Sequence, residues 1–152
     1  MENPYAAPKA EIVQNLGSVP LYSPNQVMAG AFLGGPVGLI WFLRENFVTL
    51  GDDRQARKTL LLGVVLLVVL MIIMPMLPKN FPSLPISIAY MITGQQVAIK
   101  WQMTRDAIDA SSRYTFHSNG RVFGLGLLCL VASMILLVGP ILLLGMTGLV
   151  HF

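Results

Sequence analysis

Side chains able to do chemistry are few in this chain and stand apart. Asp106 and Asp109 lie three apart in QMTRDAIDASSRYTF, a spacing that puts two carboxylates on one helical face and could hold a cation. Arg105 and Arg113 lie beside them, so a solvated, salt-bridged face is the reading preferred. His117 follows Arg113 and Tyr114 and could serve as a base, although a solvated loop histidine is the simpler expectation. His151 is predicted on the other side of the membrane from His117, so the two cannot share a metal. The one cysteine, Cys129, makes no intrachain disulfide and no cysteine-based metal site. No nucleophile–base pair, phosphate loop or zinc spacing is present. The expectation is a protein without catalytic residues, cofactor or metal, and not an enzyme.

A second group of polar residues falls inside apolar sequence. Tyr90, Thr93, Gln95 and Gln96 interrupt one hydrophobic segment, and Ser133 sits in another. They could line a polar path or bond one helix to its neighbour, and interhelical bonding is the more frequent use. No Asp, Glu, Lys, Arg or His falls at the predicted centre of a span, which disfavours a proton-coupled pump.

The elements that must position these groups are membrane helices. Of 152 residues, 55% are hydrophobic and only 11% charged, against roughly 25% charged in a soluble domain. Mean hydropathy is +0.68, and the pI near 9.3 reflects Lys and Arg placed mostly in loops beside apolar runs, so no nucleic-acid partner is expected. No basic start followed by an apolar core marks a cleavable leader, and residues 1–22 read as an irregular arm carrying Pro4, Pro8 and Pro20. Residues 23–152 read as a single membrane domain with spans at about 25–46, 59–77, 84–101 and 122–150.

Local signals mark the joints. Ser23-Pro24-Asn25-Gln26 is a capping box with proline at the first helical position. Leu50-Gly51 can end that helix, Asp52-Asp53 can cap the next, and Pro75 and Pro78 end it. A third helix from about residue 86 to 110 is expected to cross the membrane and project into the cytoplasm. Ser118-Asn119-Gly120 signals the start of the fourth, which Gly139-Pro140 should kink. The fold class is therefore all-α: a polytopic bundle of four transmembrane helices with a cytoplasmic extension of helix 3. Arg44, Arg54, Arg57 and Lys58 follow the first span, and Lys100, Arg105, Arg113 and Arg121 follow the third. Both basic regions share a side if segment 3 spans, which predicts cytoplasmic loops and both termini outside.

Gly30, Gly34 and Gly38 form G-x-x-x-G-x-x-x-G in AGAFLGGPVGLIW, on one face of the first helix. Such a seam lets another helix approach closely, either within the chain or in a partner, with internal packing favoured. Gly35-Pro36 adds a kink to the same helix.

The pattern Ser23-Pro24, Gln26, Phe32-Leu33-Gly34, Pro36, Gly38, Asn46-Phe47, Leu50-Gly51 and Ala56, with Leu84-Pro85 and Ala89-Tyr90 further on, resembles a group of small bacterial inner-membrane proteins of unknown function. The resemblance covers roughly residues 22–110 and implies a membrane location but no activity and no catalytic residue. Three function classes follow from the whole sequence. The preferred one is a non-catalytic protein that acts through helix–helix contact with a membrane partner, as an accessory subunit or immunity-type protein. The others are an oligomeric channel or small transporter, with Tyr90, Gln95 and Gln96 facing a shared pore, and a lipid-acting enzyme using Asp106 or His117. The expected partners are the lipid bilayer and a membrane protein or further copies of the chain.

Overall fold

A computed structural model describes residues 18–146 except 79, 81 and 83. The element order is β1 (Val19–Leu21), α1 (Pro24–Thr49), α2 (Asp53–Ile73), a 3-10 turn (Met74–Met76), α3 (Leu84–Trp101), α4 (Arg105–Asp109), β2 (Tyr114–Phe116) and α5 (Asn119–Met146). The chain is thus mostly helical. Three stretches are long and apolar enough to cross a membrane: 24–49, 53–76 and 119–140. The 84–101 segment forms its expected helix but falls short of that hydropathy, as Gln95, Gln96 and Lys100 dictate.

The local joints form as their residues require. Ser23 Oγ accepts from Gln26 N at 3.3 Å and Gln26 Oε1 accepts from Ser23 N at 3.1 Å, completing the capping box. Gly51 takes φ +79° after the C-cap Leu50, and Asp52 accepts from Gln55 N at 2.9 Å to start α2. Ser118 Oγ accepts from Arg121 N at 3.3 Å at the start of α5. That helix continues through Pro140 to Met146, and the residues expected after it lie outside the described ones.

The first expected span is not one straight helix. Asn46, near the end of α1, exchanges two hydrogen bonds with Tyr22, just before its start. Tyr22 N donates to Asn46 Oδ1 at 2.9 Å, and Asn46 Nδ2 donates to Tyr22 O at 2.7 Å. A straight helix would hold these residues about 36 Å apart. The helix instead folds back at Gly35, whose backbone (φ 61°, ψ −146°) lies in a region essentially reserved for glycine. Two antiparallel legs result, Pro24–Gly34 and Pro36–Thr49, about 16 and 21 Å long, each too short to cross a hydrocarbon core of about 30 Å.

The other helices pack around this hairpin. Gly63 of α2 leaves room for Ile40 of the second leg, and Gly94 of α3 lies against Val27, Ala31 and Leu39. Gly126 of α5 receives Leu33. α3 and α5 each pack on the hairpin. The core is Val27, Ala31, Leu39, Phe42 and Leu43 of α1 with Ala98 and Val122. The outer surface of α2 is a nearly continuous run of exposed Leu, Val and Ile, as lipid contact demands.

Two further expectations are corrected. The third helix does not continue to residue 110. It stops at Trp101, where Gln102 turns inward to donate to Leu43 O at 2.9 Å and accept from Asn46 Nδ2 at 2.8 Å, and Thr104 caps the separate helix α4. A serial four-pass path would also put the starts of α1 and α5 at opposite ends. They lie together, because β1 pairs in parallel with β2, Val19 opposite Tyr114 and Leu21 opposite Phe116. The arm read as irregular through residue 22 therefore contains a strand, and its first seventeen residues lie outside the described ones.

Candidate functional site

The polar residues gather where β1, β2 and the starts of α1 and α5 meet. Gln26, fixed by the capping box, donates through Nε2 to His117 O at 2.7 Å and to Asn119 Oδ1 at 3.0 Å. His117 N donates to Leu21 O at 3.2 Å, and its ring stacks on Tyr22 with centroids 4.1 Å apart. Tyr22 also meets Phe42 edge-on at 4.8 Å and accepts through its hydroxyl from Arg121 Nε at 3.3 Å. Arg105 of α4 lies over Phe116, 6.0 Å from the ring centroid.

A cleft of about 730 Å³ opens among these groups. Arg105, His117, Asn25 and Asn119 line its polar end, and Ala29, Leu33, Val122 and Phe123 line its apolar wall. Asn25 is tied to α3, since its Oδ1 accepts from Gln95 Nε2 at 3.2 Å. Burial pushes the His117 imidazole below its ordinary pKa, and the Arg121 charge lowers it further. Burial raises the Tyr22 hydroxyl, against the opposing hydrogen bond and charge of Arg121. The site therefore offers a neutral imidazole and several donors. Asp109 is engaged with Arg105 at 3.8 Å on an exposed face. Among the described residues no three His, Cys, Asp or Glu side chains come together to hold a metal.

The glycines named from sequence occupy the fold-back itself. Gly30 and Gly38 face each other across the two legs, and a Cβ on Gly38 would run into the Gly30 carbonyl. Gly34 faces α5, where a Cβ would sit 2.7 Å from that of Cys129 and 3.2 Å from Gly126 O. Ser133 of α5 closes the apex. Its hydroxyl donates to Gly34 O at 2.6 Å and accepts from Val37 N at 3.3 Å. These are the carbonyl that ends one leg and the amide that starts the next, groups with no helical partner of their own.

The four α3 residues named from sequence do not converge. Tyr90 packs against the core, and Gln95 reaches Asn25. Thr93 and Gln96 are exposed on the outer face, in register with exposed Ala89 and Lys100. Sequence reasoning missed the roles of Asn46 and Gln102, which bind elements distant in the chain. The adjacent Gly34-Gly35-Pro36 carried the only local signal of the turn. Comparison with protein-family models, with curated proteins and with solved structures finds no match.

Proposed function

We propose that this chain is a multi-pass protein of a bacterial inner membrane that works without catalysis, by docking a partner's membrane helix on the outer face of α3. The observation that carries this reading is the pair Thr93 and Gln96. Both are polar, exposed, and without a hydrogen-bond partner among the described residues, on a helix whose opposite face packs on the α1 hairpin. In lipid, such groups are stabilised by bonding to a neighbouring helix, typically by about 0.6 and at most about 2 kcal/mol each. An accessory or immunity-type role fits this arrangement.

In this proposal α1 is a re-entrant hairpin, while α2, α3 and α5 cross. Ser133, which holds the apex, lies half-way along α5, so the hairpin reaches the middle of the bilayer. Non-helical backbone at that depth is tolerated only when protein covers it, and Ser133 does so. Arg44, Arg54, Arg57, Lys58, Lys100, Arg105, Arg113 and Arg121 then share one side, which the positive-inside rule makes cytoplasmic. Residue 23 would start α1 from the cytoplasm, in place of the outer start that a serial path implies.

The pore reading is weakened because Tyr90, Gln95 and Gln96 point in three directions. The test is a tagged chain at native expression, extracted in mild detergent, sized and identified by mass spectrometry, beside Gln96→Leu. A stoichiometric second protein, lost with Gln96→Leu at unchanged abundance, supports the proposal. Equal recovery with the variant removes α3 as the docking face. A homo-oligomer alone shifts the weight to a channel, with flux in liposomes as the next assay.

A further inference from the structure

We infer that the cleft between the first leg of α1 and the start of α5 binds the phosphate-bearing, anionic headgroup of an amphiphile, with the apolar part of the same molecule along Ala29, Leu33 and Phe123. Its volume of about 730 Å³ lies within the range of roughly 300–1,000 Å³ occupied by small-molecule sites.

The lining is biased toward donors, and the bias is imposed by the hydrogen-bond network. Asn25 Oδ1 is taken by Gln95, and Asn119 Oδ1 is taken by Gln26. Each asparagine, itself lining the cleft, is left with an amide N–H₂ that makes no bond to protein among the described residues and is free to donate to a ligand. Arg105 adds a guanidinium. Among the described residues its one ion pair is a 3.8 Å approach of Nε to Asp109 with both side chains more than half exposed, which leaves the rest of the fork for a ligand. Among the described residues no carboxylate lines the cleft. Two amides and a guanidinium suit phosphate oxygens, which accept several charge-assisted bonds at once.

The position supplies the second half of the argument. The polar end lies at the basic end of the molecule, and the apolar wall runs down the first leg toward its apex. α3 and α5 both pack on that leg, Gly94 against Val27 and Ala31 and Gly126 against Leu33, so the cleft opens beside helices that the proposed function places in lipid. A headgroup among Arg105, Asn25 and Asn119 would thus carry its tail along Leu33 and the exposed Phe123. Anionic headgroups between helices on the basic side of a membrane protein are recognised by this combination.

The experiment uses the full chain in mild-detergent micelles and native mass spectrometry, with phosphatidylglycerol, phosphatidylcholine or inorganic phosphate added separately. Wild type is compared with Arg105→Gln and with Arg54→Gln, a substitution of an exposed basic residue at the start of α2, outside the cleft. The expected result is one retained phosphatidylglycerol per chain, preferred over phosphatidylcholine, weakened at least about tenfold by Arg105→Gln and unchanged by Arg54→Gln. Retention of inorganic phosphate with the same dependence on Arg105 supports the anion site but assigns a soluble ligand. Equal effects of the two arginine variants, or no preference among the lipids, would overturn the inference.

Discussion

Replacing Asn46 by leucine tests the fold-back where it is held most tightly. Asn46 is 1% exposed, as is Tyr22, and makes three hydrogen bonds: two with the Tyr22 backbone and one to Gln102. Leucine keeps the volume and loses all three, each worth about 0.5–1.5 kcal/mol net. The Tyr22 N–H then stays buried without a partner, at a further cost of about 1–3 kcal/mol. The expected loss is about 3–5 kcal/mol, much of the roughly 5–15 kcal/mol that a small domain has. Gln102→Leu removes only the Asn46 contact and the bond to Leu43 O, so about 1–2 kcal/mol is expected. Denaturant unfolding in detergent micelles, followed by the two tryptophans, gives both values. An Asn46→Leu loss below about 1 kcal/mol, or a loss no larger than that of Gln102→Leu, would mean that the ends of α1 do not hold each other.

Spin labels at exposed Asn25 and Val48 in a Cys129→Ala background should read under about 20 Å, whereas an unbroken helix would separate the two backbones by about 35 Å; pulsed dipolar spectroscopy distinguishes them. Gly38→Ala should destabilise by about 2 kcal/mol or more, since the added methyl meets the Gly30 carbonyl. Gly124→Ala meets nothing within 4 Å and should be neutral or stabilise by up to about 1 kcal/mol; unfolding midpoints for the pair check the contrast. The His117 pKa is lowered in the folded protein, so its contribution is complete above the ordinary value of 6.5 and is lost as pH falls through the lowered one. Stability measured from pH 7 to pH 5 should therefore decline, with a shallower decline in His117→Gln.

What sequence revealed and what it hid divide along one physical line. The Ser23 capping box, the Gly51 turn after the Leu50 C-cap, the Asp52 cap and the Ser118 cap depend on residues a turn apart, and each is readable locally. Gly35-Pro36 announced a change of direction, but a local dihedral permits a kink of any size. Its extent is set by Asn46 meeting Tyr22, 24 residues away, and by Ser133 meeting Gly34, 99 residues away. Hydropathy averages over such a turn, so two short apolar legs read as one span at about 25–46. The break after Trp101 was hidden for the same reason, because Gln102 is committed to Leu43 and Asn46 rather than to its own helix. The cleft was invisible because Asn25, Asn119 and Arg105 become neighbours only once β1 pairs with β2.

The fold-back also changes where a partner could be sought. A G-x-x-x-G-x-x-x-G seam on a straight helix offers three glycines to one neighbour, and substituting any of them would test that neighbour. Here the fold reverses the chain between the glycines. Gly30 and Gly38 serve each other's leg, and Gly34 serves Cys129 and Gly126. Leucine at Gly34 would push the hairpin off α5 and break the Ser133 bridge, so loss of a partner in that variant would report loss of the fold. The same reversal frees α3, which gives one face to the hairpin through Gly94 and Ala98 and keeps Thr93 and Gln96 outside. Substitutions there remove polar atoms that no other described residue engages, so they can separate partner binding from folding, as changes in the glycine seam cannot.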